Sequence, residues 1–92
     1  MRESAPVTVR LPALLEALFP GVERRLELRV ASVAELMDAL DARWPGMRDR
    51  LCDTTPAIRR HINVFVDGKR GTLATDLRPG ADVFVLTAIS GG

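Results

Sequence analysis

A chain of 92 residues with 47% apolar and 27% charged side chains has room for one small domain and the balance of a foldable one, not of a disordered tail. Thirteen basic against twelve acidic residues leave a formal charge of +1, which is not the strongly basic footprint of a nucleic-acid module. The only cysteine, Cys52, excludes an internal disulfide and a multi-cysteine metal site, and the only histidine, His61, leaves triad-type catalysis a single candidate.

Val7-Thr8-Val9-Arg10-Leu11 alternates strictly between apolar and polar side chains and predicts a half-buried strand, ended by Pro12. Residues 13–19 predict one or two helical turns, stopped by Pro20-Gly21. Arg25-Leu26-Glu27-Leu28-Arg29-Val30 alternates again and is expected to pair with the first strand as an antiparallel hairpin with an elaborated loop. Ser32 opens the strongest helix. Ser32-Val33-Ala34-Glu35 fits a capping box, in which Ser and Glu satisfy each other's exposed backbone N–H groups. Val33, Leu36, Met37 and Leu40 follow at helical spacing, with Trp44 as core one turn further on. Glu35, Asp38 and Asp41 are expected to face water, and Pro45-Gly46 stops the helix. Residues 47–52 add a short turn, and Asp53-Thr54-Thr55-Pro56 is a loop. Ile62-Asn63-Val64-Phe65-Val66 is a third strand closed by the turn signal Asp67-Gly68. The polar stretch 69–76 carries an edge strand at 72–74, Leu77-Arg78-Pro79-Gly80 turns, and residues 82–88 form the last strand.

One helix cannot cover both faces of a sheet. The order therefore predicts an α+β domain: a mixed sheet of four to five strands with one main helix packed on one face, the β-grasp arrangement of ubiquitin. The crossover rule, applied between the first and third strands, places them parallel. The domain spans residues 1–92, with 88–92 as a flexible tail. No apolar run approaches the ~18–20 residues of a membrane span. The start, Met1-Arg2-Glu3-Ser4, has no signal-peptide core, so a cytoplasmic protein with no membrane partner is expected.

The tail carries the chemistry. Gly91 and Gly92 follow an apolar strand directly, and without Cβ atoms they fit a narrow channel closed to other residues. A free carboxylate there is a reactive handle once adenylation turns it into a mixed anhydride. The plain alternative is an inert terminus that happens to contain glycine.

From Val7 to Gly92 the chain resembles the ThiS/MoaD family of ubiquitin-like sulfur carriers. The resemblance is strongest in Ile62-Asn63-Val64-Phe65-Val66-Asp67-Gly68, in Leu77-Arg78-Pro79-Gly80-Ala81-Asp82-Val83, and in Ala88-Ile89-Ser90-Gly91-Gly92. The family pattern reads V-N-x-x, L-x-x-G-D-x-V and P-x-x-G-G. This chain departs from it with Asp67 where Asn is common, Ala81 between Gly80 and Asp82, and Thr87-Ala88 where Pro often stands. The resemblance implies a carrier or protein co-substrate rather than an enzyme. Its Gly92 would be adenylated by an E1-like enzyme, converted to a thiocarboxylate with sulfur from a donor protein, and used in biosynthesis. It implies no metal or cofactor of the chain's own, ATP and any zinc belonging to the activating partner. The length of the segment 47–60 sets the chain nearer to MoaD-type synthase small subunits than to the shorter ThiS carriers. Molybdenum cofactor biosynthesis, or a related thio-metabolite such as cysteine, is the implied destination, with a synthase large subunit or another enzyme as acceptor.

A second signal lies on the sheet. Ile62, Val64 and Val66, with Val83 and Val85, share the face that meets the helix, which leaves Phe65, Phe84 and Leu86 on the other. Three apolar side chains on the outer face read as a partner-docking patch beside the tail, with Ala88, Ile89 and Ser90 continuing the contact. Arg59, Arg60, Lys69, Arg70 and Arg78 flank the third strand, either as a surface for an acidic partner or as a solvated edge that resists aggregation. Cys52 reads as a small buried filler, His61 as a capping or surface residue, and Lys69 is the only lysine. Two other readings stand beside the carrier: a ubiquitin-like modifier conjugated through Gly92, and a non-catalytic β-grasp interaction subunit with an inert tail.

Overall fold

The structure, a computed structural model, describes residues 5–55 and 57–87. Its elements in chain order are β1 (Val7–Arg10), α1 (Leu14–Leu18), β2 (Arg25–Leu28), α2 (Val33–Arg43), α3 (Met47–Leu51), β3 (Ile62–Val66), β4 (Lys69–Arg70) and β5 (Asp82–Thr87). The strands form one mixed sheet in the order β2-β1-β5-β3-β4, with β1 parallel to β5 and the other pairs antiparallel. This is the β-grasp fold.

Alternation decides the faces. Val7 and Val9 of β1, Leu26 and Leu28 of β2, Ile62 and Val64 of β3, and Val83 and Val85 of β5 are all buried on one side. They pack with Val33, Leu36, Met37 and Leu40 of α2 and with Met47 and Leu51 of α3 into one core. Val66 and Trp44 pack on that core from its margin.

The direction of β3 corrects the sequence expectation. β3 runs antiparallel to β5, and β5 runs parallel to β1, so β3 is antiparallel to β1. The crossover through α2 starts from β2, not β1. It is β2 and β3 that run parallel, and the handedness rule applies between those two.

The polar stretch after β3 is also corrected. Asp67 and Gly68 both take positive φ, 50° and 86°, as a two-residue primed turn requires, and this pairs Val66 with Lys69 at once. The edge strand is therefore Lys69–Arg70 rather than 72–74. Residues 72–75 are used elsewhere: the Val33 N–H donates to the Thr75 carbonyl (3.0 Å) and the Ala34 N–H to the Leu73 carbonyl (3.1 Å). These are two of the N–H groups a helix start leaves without partners.

The next is met by the cap, where the Glu35 N–H donates to Ser32 Oγ at 3.2 Å. The reciprocal half of the box is shifted by one residue, with the Glu35 carboxylate accepting from the Ala31 N–H at 2.9 Å rather than from Ser32. Replacing Ser32→Ala is expected to cost about 1 kcal/mol. In thermal melting that is a fall of roughly 4–8 °C for a domain of this size. The fold persists because the Leu73 and Thr75 carbonyls still hold the helix start.

Asp41 does not simply face water. Its Oδ1 accepts from the Gly46 and Arg48 backbone N–H groups, each at 3.0 Å, and so caps the start of α3. Asp38 pairs with the Arg48 guanidinium beside it. The predicted turn at 47–52 is thereby a short helix locked to the end of α2.

Candidate functional site

The site lies on the outer face of the sheet, opposite α2. The β3–β5 register sets Phe65 directly across from Phe84, and Asn63 across from Leu86. Phe84 is 37% exposed, Leu86 44%, and Phe65 is half-buried, while Val83 and Val85 between them are fully buried. The outward placement read from the alternation is the placement observed.

The full-width register shows what surrounds the two rings. Arg25, Arg10, Phe84, Phe65 and Arg70 stand opposite one another in successive strands, so one row crosses all five. Arginines bracket the two aromatic residues. The Arg10 guanidinium lies over the Phe84 ring, 4.8 Å from its centroid, a cation–π contact that fixes the ring from the β1 side. Arg10 is also 3.7 Å from Asp82, a half-exposed pair that contributes little on its own. On the other flank the Arg70 guanidinium donates to Asn63 Oδ1 at 2.5 Å. The neighbouring row away from the chain end contains Glu27, Thr8 and Asp82. Toward the chain end the row is Leu86 and Asn63. The patch is thus apolar at its centre, cationic at both sides, and continues through Leu86 toward Thr87.

Thr87 also lines a cleft of about 450 Å³ together with Leu14, Leu18, Arg50 and His61. Leu14 and Leu18, one turn apart on α1, are 51% and 37% exposed. The last strand therefore ends, at Thr87, between two exposed apolar surfaces. The remaining predicted site residues, Ala88, Ile89, Ser90, Gly91 and Gly92, lie outside the described residues.

Sequence reasoning missed Arg10, Arg25, Leu14 and Leu18. The spacing of Leu14 and Leu18 about buried Leu15 was a local signal for the α1 surface. Nothing local reports that Arg10 neighbours Phe84, because that contact comes from pairing the first strand with the last.

The other reactive groups serve the fold. Cys52 is buried and bridges to Ile58, and burial pushes its thiol pKa up, which keeps it a poor nucleophile. The Asp53 carboxyl is held below its ordinary value, first by the hydrogen bond from the Thr55 hydroxyl and then by those from the Thr55 and Ala57 backbone N–H groups. It organises the loop that leads toward β3. No helix among the described residues is long and apolar enough to cross a membrane.

A β-grasp sheet with an apolar outer face beside its last strand defines a ubiquitin-like protein. No family model matches the chain, and no curated protein matches it in sequence. Solved structures do. A chain of the Amycolatopsis orientalis BexX/CysO complex is 31% identical, with 94% of this chain and 99% of that one covered and a TM-score of 0.81. CysO of Mycobacterium tuberculosis is 26% identical over 90% of this chain and 99% of its own, with a TM-score of 0.80. The putative molybdopterin converting factor subunit 1 of Pyrococcus furiosus shares the fold at 20% identity, covering 94% of this chain and 100% of its own, with a TM-score of 0.67. The chain belongs to the ThiS/MoaD family of ubiquitin-like sulfur carrier proteins.

Proposed function

We propose that the protein carries sulfur on Gly92. An E1-like enzyme joins the Gly92 carboxylate to the AMP moiety of ATP and releases pyrophosphate. The terminal sulfur of a protein persulfide attacks the acyl carbon and AMP leaves. A thiol then cleaves the resulting acyl disulfide and frees the thiocarboxylate. Sulfur passes from there to a sulfur-free precursor on a synthase-type partner, giving molybdopterin or another thio-metabolite such as cysteine.

The observation that carries this reading is the full-length likeness to the CysO-containing complex, at 31% identity over 94% of the chain. The sheet supports it. The Phe65, Phe84 and Leu86 patch gives a partner an apolar hold directly beside the strand that leads to Gly92, and Arg10 and Arg70 suit a partner whose rim is acidic. The chain's own residues dock and present; the bond-making groups belong to the partners.

Intact-mass spectrometry after incubation with an E1-like enzyme from the same source, ATP and a sulfur donor tests it. The expected product has one oxygen replaced by sulfur, and deletion of Gly92 abolishes it. An unchanged mass with an activating enzyme proven active on another carrier refutes the reading. Conjugates through Gly92 to protein lysines, without thiocarboxylate, would establish the modifier instead.

A further inference from the structure

We infer that the outer edge of β3 is a second binding site, built to take an extended acidic peptide segment of a partner protein. It lies on the helix side of the sheet and goes beyond the carrier reading, since it uses neither the tail nor Phe65, Phe84 and Leu86, and shares with that patch only Arg70 at its border.

Three observations meet there. The first is a strand edge left partly open, with the Ile62 N–H already taken by the Arg59 carbonyl at 2.9 Å. β4 pairs only Phe65 and Val66 of β3, and the Gly71 N–H adds one bond to the Val64 carbonyl at 2.8 Å. The chain then turns away, committing its Leu73 and Thr75 carbonyls to the start of α2. The Ile62 carbonyl lies two residues back from Val64 and so faces the same open side. The second is a cleft of about 510 Å³ along this edge, with an apolar lining that includes Ile58, Ile62 and Leu73. The third is charge. Arg59, Arg60 and Arg70 line the cleft, and among its lining residues no acid balances them. Arg59 donates its Nε–H to the Asp49 carbonyl at 2.8 Å and Arg70 is tied to Asn63, so two of the three guanidiniums are held in place.

The open Ile62 carbonyl offers a main-chain hydrogen bond to an extended segment, and the pocket beside it receives alternate side chains. With period-two alternation, one set of side chains enters the apolar floor while the other faces the rim. Arginines on that rim select carboxylates by charge-assisted hydrogen bonds. The occupant that fits is an extended segment alternating aliphatic and acidic residues.

The test is an amide NMR titration of the full chain with acetyl-Glu-Val-Glu-Leu-Glu-amide, alongside the Lys analogue acetyl-Lys-Val-Lys-Leu-Lys-amide. The acidic peptide is expected to shift Ile58, Arg60, Ile62 and Leu73. Arg60→Glu, at an exposed position, is expected to weaken it at least roughly tenfold by setting like charges together. Raising salt from about 0.05 M to about 0.5 M should weaken it as well. N-methylating the central peptide amide removes the donor to the Ile62 carbonyl and should abolish binding. A chain lacking Gly91 and Gly92 should bind unchanged, so this result stands apart from that of the carrier reading. Equal binding of the basic peptide, no effect of Arg60→Glu or of N-methylation, or the same shifts from inorganic phosphate alone at equal affinity would each overturn the proposal.

Discussion

Val85→Asp is expected to destabilise the domain severely, by about 3–5 kcal/mol, whereas Phe84→Asp, one residue away, leaves its far-UV circular dichroism intact. Val85 is fully buried at the centre of β5, opposite Val64, with no polar partner among its core neighbours. A carboxylate there is either desolvated without a partner or forced to take up a proton, at a cost of about 3–5 kcal/mol. A domain of this size has about 5–14 kcal/mol of total stability, so the loss brings the variant to the unfolding midpoint at the low end of that range and removes a large share of its stability above it. Phe84 points the other way and is 37% exposed. Its replacement removes the pairing with Phe65 and the Arg10 contact, about 1–2 kcal/mol together. Urea titration of the two variants checks the pair of outcomes, and an unfolded Phe84→Asp would reverse the assignment of faces.

The same Phe84→Asp variant is expected to lose most of its activation by the E1-like partner. A central aromatic anchor in a docking patch contributes about 2 kcal/mol or more, which is roughly a thirtyfold fall in kcat/KM for thiocarboxylate formation. The loss belongs in KM, because the tail and the chemistry at Gly92 are untouched. Arg10→Glu should give a smaller loss that shrinks as salt is raised, since it acts through charge at the rim of the patch. A fall in kcat at saturating carrier, with KM unchanged, would place Phe84 outside the docking surface.

The faces of β1 and β2 were legible because apolar and polar side chains alternate strictly along them, and in β5 the two-residue period alone set Val83 and Val85 against Phe84 and Leu86. The start of α2 was legible for the same reason: Ser32 and Glu35 act within one turn. What local pattern could not supply was partnership across the chain. The crossover begins at β2, so the direction of β3 follows from β2, a fact that resides in the strand order alone. Residues 72–74 look like an edge strand, yet the Leu73 carbonyl there and the Thr75 carbonyl next to it are taken by the Ala34 and Val33 N–H groups, some forty residues away in sequence. Asp41 sits on the polar side of its helix by spacing, and only the fold of 45–48 brings two backbone N–H groups to its carboxylate. The Arg10 side of the bracket around Phe84 and Phe65 has the same origin, since it exists only where β1 meets β5.

That meeting has a mechanical side. β5, the strand nearest the chain end, is the middle strand of five, held by β1 on one edge and β3 on the other. A partner that draws the residues after Thr87 into a channel pulls along the axis of β5, across the hydrogen bonds of both ladders. The load falls on them together, as shear, and the fully buried Val83 and Val85 carry it into the core. A chain that left from β4 or β2 would instead load an edge strand, where the same pull is resisted by a single ladder. Placing the last strand at the centre lets the end of the chain be handled as a tether while the domain behind it stays folded.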